Sequence, residues 1–197
     1  RTYLDASRLS EDVDLLYEDP TGCFVALTRE LPRALRHEFP NAELTMMRPD
    51  GDGMAAEISA PGVDPIKIYV GRDGANTRAW EFAATKVMLR YSDLPATKAF
   101  QCPTVATFGA MKLAAWFDRH APRDLFDLSG LARLGVLADP AVRRIFRAKM
   151  GTAVVAAEFA RVPRTTLDAW ETELGAQVPT LPPAQECLDV VRVALDG

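Results

Sequence analysis

The chain has 197 residues, 48% hydrophobic and 25% charged, with a net charge of −4. This is the balance of a globular chain with material for one domain or two small ones. It argues against a uniformly basic nucleic-acid coat but leaves room for a local basic patch. Cys23, Cys102 and Cys187 are dispersed and form no CxxC pair, and His37 and His120 are the only histidines. That pattern gives no zinc spacing and suits a reducing cytosol. No apolar run approaches the roughly twenty residues of a membrane span, and no signal peptide is visible, so a cytoplasmic protein is expected. The chain starts at Arg1 rather than Met, and native residues upstream of it are expected.

In chain order, residues 1–6 read as the end of a helix that begins upstream. Residues 10–17 read as a strand closed by Asp19-Pro20. Residues 21–39 read as a helix, with Phe24, Leu27, Leu31, Leu35 and Phe39 at helical spacing. Pro32 predicts a kink in it, or a division into two shorter helices. Residues 42–48, 54–60 and 66–70 read as strands, separated by turns at 49–53 and 61–65. Residues 71–77 read as a loop, and 85–91 and 97–102 as weaker strands. Beyond Pro103 the pattern turns helical. Helices are expected over 105–119, 123–134 and 139–149, with another over 152–160, one carrying Leu167, Trp170 and Leu174, and a last one over 184–195. Pro179, Pro182 and Pro183 read as a rigid linker. The expected architecture is α+β: a mixed sheet with helices over residues 1–102, then an all-helical half over 103–197.

Two stretches carry chemistry. In the first strand, side chains alternate faces, so Ser10, Asp12 and Asp14 share one face while Val13 and Leu15 point to a core. Two adjacent carboxylates repel unless a cation sits between them. Hard oxygen donors of this kind suit Mg²⁺, which completes its shell with water or substrate phosphate. Asp-x-Asp also arises by chance, as at Asp50-Gly51-Asp52, which reads as a turn. In the helical half, Lys112, Trp116 and Arg119 lie at i, i+4 and i+7. Asp124 and Asp127 lie at i, i+3 on the next helix, with Arg123 at i−4 from Asp127. Two antiparallel helices would gather these charges, as a reactive cluster or as an inter-helix salt-bridge network. Arg143, Arg144, Arg147 and Lys149, joined by Arg161 and Arg164, form a basic run that could track a phosphate backbone or be a solvated face.

Three segments in order resemble the AbiEii-type nucleotidyltransferase toxins, including the mycobacterial MenT group. They are Arg8-Leu9-Ser10-Glu11-Asp12-Val13-Asp14, Lys112-Leu113-Ala114-Ala115 with Arg119, and Arg123-Asp124-Leu125-Phe126-Asp127-Leu128. Leu167-Asp168-Ala169-Trp170 is similar to the tail of these proteins. The family's Gly-Gly-Ser/Thr element, which cradles phosphates at a helix start, would fall before Arg1. Where relatives of this fold often carry a third strand carboxylate this chain has Tyr69, so that Glu57 or Asp127 substitutes or the site uses two strand carboxylates only.

The resemblance implies a nucleotidyltransferase-like fold whose helical half completes the active site. It implies a toxin that extends the 3′ end of tRNA with pyrimidine nucleotides, from CTP or UTP, and stops translation. Asp12 and Asp14 would hold Mg²⁺, and Lys112 would neutralise the triphosphate. Asp127 would bind metal or accept the proton of the attacking hydroxyl. Arg119 and Arg123 would orient the carboxylates or touch phosphate, and Lys67 would be a second phosphate contact. Arg143, Arg144 and Arg147 would bind the RNA. The implied partner is a cognate antitoxin, in some members kinase-like, and Ser10 is the expected phosphorylation site. Two other readings stay open: transfer of a nucleotide to a protein hydroxyl, and a non-catalytic nucleotide- or RNA-binding module.

Overall fold

A computed structural model describes residues 12–47, 53–74, 77–85, 99–154 and 156–196. The chain divides into two compact units, one ending at Thr77 and the other beginning its main run at Arg78. The architecture is mixed α+β, as expected.

The first unit is built from β1 (Asp12–Tyr17), α1 (Pro20–Leu35), β2 (Glu43–Met47), β3 (Met54–Ala60) and β4 (Val63–Arg72). They form a four-stranded sheet in the order β1-β4-β3-β2. β2, β3 and β4 pair antiparallel, and β1 runs parallel to β4. Asp19 starts α1 by accepting a hydrogen bond from the Gly22 amide at 3.1 Å, with Pro20 in the first turn. Phe24, Leu27, Leu31 and Leu35 then pack with Ala56, Ile58, Ile68 and Val70 on one sheet face.

Two local expectations are corrected here. Of the kink or division expected at Pro32, the division does not occur: α1 is one helix from Pro20 to Leu35, four residues short of the expected end at 39. Pro32 stands in the last turn, where its missing N–H forfeits one helix bond and only three residues of the helix follow it. Val63, Asp64 and Pro65 are strand, not turn. The reversal needs only Pro61 and Gly62, because Ala60 pairs with Val63 and Gly62 adopts φ +80°, the left-handed conformation that glycine accepts without strain. The turn expected at 49–53 lies mostly outside the described residues.

The second unit opens with a ribbon of β5 (Phe82–Thr85) and β6 (Phe100–Pro103). β5 ends where the expected strand began, and residues 86–98 lie outside the described chain. Five helices follow: α2 (Val105–Arg119), α3 (Pro122–Arg133), α4 (Pro140–Met150), α5 (Arg164–Leu174) and α6 (Ala184–Asp196). The expected helix over 152–160 is a short 3₁₀ turn, Ala156–Phe159. It follows Gly151, whose φ of +69° terminates α4. The Thr104 and Asp139 side chains cap α2 and α4. Leu113, Trp116, Leu125, Leu128, Phe146, Phe159 and Leu188 form the core. Trp116 is therefore structural, stacked on Phe159 at 6.2 Å. Trp170 donates to the Pro182 carbonyl at 2.9 Å, tying the proline-rich connection to α5. Among the described residues, no helix is long and apolar enough to cross a membrane.

Pro32 removes one backbone donor from α1. Pro32→Ala is expected to raise stability by about 1 kcal/mol, since the restored helix bond exceeds the entropy regained by the unfolded chain. Denaturant unfolding checks this; a midpoint at or below the parent's would mean that Pro32 costs the helix nothing.

Candidate active site

The sheet places the strand carboxylates. Asp12 is in register with Lys67, and Lys67 with Glu57; Asp14 is in register with Tyr69. Residues in register share a face. Asp12, Asp14, Lys67, Tyr69 and Glu57 therefore occupy the face opposite the one that buries Ile68 and Val70. This resolves the orientation of Lys67, which the sequence alone left open: it stands beside Asp12, on the carboxylate face. Tyr69 occupies the position opposite Asp14. Its phenol lies over Gly53, where no side chain would fit. Glu57 sits one strand further out, behind Lys67. Among the described residues, no group of three or more His, Cys, Asp or Glu side chains is arranged to hold a metal. The Asp12–Asp14 pair still fits Mg²⁺, which commonly takes one or two carboxylates and leaves its remaining positions to water and phosphate. Ser10 lies outside the described residues.

The helical unit builds the second constellation at the junction of α2 and α3. Lys112 approaches the Asp127 carboxylate at 2.8 Å and that of Asp124 at 3.4 Å. Arg119 grips Asp124 with both prongs, Nε at 2.7 Å and a terminal nitrogen at 3.0 Å. Asp124 has no solvent exposure and Asp127 only 4%. Pro122 and the short corner after His120, itself in a left-handed conformation with φ 51°, bring the start of α3 under the last turns of α2. Burial pushes the Asp124 carboxyl up. The Arg119 hydrogen bonds and the Lys112 charge override it, and the net effect holds Asp124 below the usual carboxylate range. Asp124 is thus an ionised, fully enclosed anchor. Lys112 is four-fifths enclosed, packs over the Phe108 ring at 5.7 Å, and joins the anchor to Asp127. Arg123 stands in the first turn of α3, half-buried.

The basic run on α4 is divided by its own contacts. Arg143 donates to the Leu195 carbonyl at 2.6 Å, closing the end of α6. Arg144 pairs with Glu81 at 2.8 Å, and Lys149 lies over the Trp80 ring at 5.5 Å. Arg147 is exposed. Glu81 and Trp80 carry no local signal of this role, because they precede α4 by some sixty residues and only the fold joins them.

A family model described as nucleotidyl transferase AbiEii toxin, type IV TA system, matches residues 1–190. Among solved structures, the chain is similar to MenT4, a nucleotidyltransferase toxin from Mycobacterium tuberculosis H37Rv. The TM-score is 0.52 at 16% identity, over 96% of this chain and 68% of that one, a likeness of fold. No curated protein matches.

Because the folded Asp124 carboxyl is held low, its contribution to stability is complete above the usual carboxylate pKa and is lost as pH falls through the lower folded value. Asp124→Asn is expected to be less stable than the parent by about 3 kcal/mol at neutral pH, since it leaves Arg119 and Lys112 short of a counter-charge. The gap should close on acidification below about pH 4. Thermal melts of both proteins across that range test this, and a gap independent of pH would remove Asp124 as the charged anchor.

Proposed function

Because the chain belongs to the AbiEii family of nucleotidyltransferase toxins of type IV toxin–antitoxin systems, we propose that it is a Mg²⁺-dependent enzyme that adds nucleotides to the 3′ end of tRNA. CTP or UTP is the donor, and the product blocks translation in the cytoplasm. The observation that carries this reading is the alignment of Asp12 and Asp14 with Lys67 on the sheet face turned away from the core.

Asp12 and Asp14 would hold the metal. Bound there, Mg²⁺ would neutralise the triphosphate and support loss of pyrophosphate. Lys67, in register with Asp12, contributes a second positive charge for phosphate. Lys112 has three donors, two of them committed to Asp124 and Asp127; the third is available to a phosphate oxygen. In the reaction, the RNA 3′-hydroxyl oxygen attacks the α-phosphorus, a phosphodiester forms and pyrophosphate leaves. Asp127, placed 2.8 Å from Lys112, accepts the hydroxyl proton. Arg119 is a positioning residue, because its fork holds Asp124 and Asp124 steadies Lys112. Arg123 is assigned to orienting Asp127 or touching phosphate, and Arg147 to the RNA backbone. Arg143 and Arg144 would join it only by leaving the Leu195 carbonyl and Glu81.

Asp12→Asn and Asp14→Asn should each abolish transfer while the protein stays folded, since both side chains stand on an exposed strand face outside the core. The assay incubates the protein with Mg²⁺, each labelled nucleotide triphosphate, total tRNA and a protein extract, then counts label in separated RNA and protein fractions. Label confined to protein would exclude tRNA as acceptor, and full activity in a folded Asp14→Asn variant would remove the metal assignment.

The family carries a cognate antitoxin. We assign its control to Ser10, which strand alternation in the sequence places on the face of Asp12 and Asp14. A phosphate there adds close to two negative charges beside the carboxylates and would repel the triphosphate. On co-expression with a kinase-like antitoxin, the parent is expected to gain one phosphate at Ser10 and Ser10→Ala to escape neutralisation. A Ser10→Ala toxin that is still fully neutralised would exclude this control.

A further inference from the structure

Outside the two constellations, the described surface has a cavity of about 630 Å³ lined by Arg161, Val162, Pro163, Arg164, Leu167 and Asp168. Its volume is that of a small-ligand site. Its backbone is well anchored. Val162 is 2% exposed and belongs to the helical core, and the Thr166 hydroxyl donates to the His120 carbonyl at 2.7 Å. The side chains around this base are open to solvent: Leu167 is 48% exposed, and the Arg164 side chain is 91% exposed, only loosely paired with Asp168 at 3.8 Å. The cavity closes the most basic stretch of the chain. From residue 143 to 164 there are six basic residues and one acid, Glu158. Four of the six are on α4, where Arg143, Arg144 and Lys149 have partners within the protein. Arg161 and Arg164 face the cavity instead.

An apolar floor with two guanidinium groups at its rim matches one chemistry in particular, a flat base flanked by phosphodiesters. The base would lie on Pro163 and Leu167, and its two phosphates would take Arg161 and Arg164. We propose that this cleft binds one unstacked nucleotide of the acceptor RNA, as a subsite separate from the transfer chemistry. The inference rests on the reading of RNA as acceptor. It adds a specific place where single-stranded RNA is held, by stacking and charge, with no base edge read. A double-stranded segment would not present a base to the floor and would use the arginines alone.

The test uses the full chain. Binding of a labelled single-stranded oligoribonucleotide, of its double-stranded form and of total tRNA is measured by anisotropy over a range of salt, for the parent, Arg161→Gln/Arg164→Gln and Leu167→Asp. Nucleotide transfer to tRNA is measured in parallel. Loss of two phosphate contacts should weaken binding and flatten the log–log salt slope by about 1.4. Leu167→Asp should weaken single-stranded binding about tenfold, the range of one base stack. All three side chains are exposed to solvent, so melting temperatures should not move. In transfer assays the arginine variant should raise the KM for tRNA and leave that for the nucleotide triphosphate unchanged.

Parent-like affinity and salt slope in both variants would overturn the inference even if transfer to tRNA is confirmed, and so would a parent that binds no RNA. A parent that binds RNA but transfers no nucleotide to it would refute the enzymatic reading, while the binding measurements would still decide the cleft. Equal losses for single- and double-stranded probes, with no effect of Leu167→Asp, would reduce the site to a phosphate contact and refute base binding.

Discussion

A carboxylate with no access to water dictates the geometry of the helical unit. Asp124 sits at 0% exposure under α2, and an isolated ion there would be lost to protonation. It stays charged because Arg119 and Lys112, two turns apart on α2, both reach it. That requirement sets the register of α3 against α2: sliding α3 by one residue would turn Asp124 away from the fork. Removing either partner from such a group typically costs about 3–5 kcal/mol, so the arrangement is conditional on all three residues. The consequence for chemistry is indirect. With Asp124 saturated by Arg119, Lys112 is left to face Asp127 at 2.8 Å, and the pair is held on helices rather than on a loop. A lysine suits this place because its three donors can serve two carboxylates and still reach a third group, whereas a planar guanidinium would commit its fork.

In the sheet unit the corresponding constraint is the period of two. β1 is parallel to β4 and in register from Asp12↔Lys67 to Tyr17↔Arg72. Because Ile68 and Val70 must be buried against α1, Lys67 and Tyr69 are forced to the other face, and Asp12 and Asp14 with them. A slip of one residue would bury the carboxylates and expose the core. The same rule limits the donor set. Tyr69 takes the neighbouring strand position next to Asp14, and Glu57 lies beyond Lys67, so the strand pair is the compact donor group on this face.

Helices and strands with strong local signals were legible from the sequence. α2 begins after a threonine cap, keeps helical spacing through Leu113 and Trp116, and ends at a corner before Pro122. β3 was legible because glycine turns bound it. What failed locally was the division read at Pro32 and the turn read through Pro65. Pro32 is tolerated because it falls in the last turn of α1, and Pro65 because β4 extends past its paired core toward the hairpin. In the candidate site, the i, i+3 placement of Asp124 and Asp127 correctly paired them on one helix face. Spacing could not tell the enclosed Asp124 from Asp127, nor show that Arg119 serves Asp124. It also could not show that Arg144 is occupied by Glu81 or Arg143 by the end of α6. These are contacts across some fifty residues or more, set by tertiary packing alone.

The charges are unevenly divided, and this bears on the order of events. Residues 12–77 carry twelve Asp and Glu against six Lys and Arg, while residues 78–196 carry thirteen against fifteen. A triphosphate or an RNA end approaching Asp12 and Asp14 meets a surface of its own sign, and like-charge repulsion raises the barrier to encounter. A divalent cation on the strand pair would cancel the charge of the two carboxylates and remove that repulsion. The exposed Arg147, Arg161 and Arg164 of the basic stretch need no such change and could take phosphate directly, subject to ionic strength. Under the proposed function the consequence is an asymmetry between substrates: RNA association would depend on salt and little on Mg²⁺, whereas nucleotide association would depend on Mg²⁺ first. An enzyme built this way can hold its acceptor while the nucleotide site is silent. Under that proposal, a negative group added beside Asp12 would weaken nucleotide binding and leave RNA association in place.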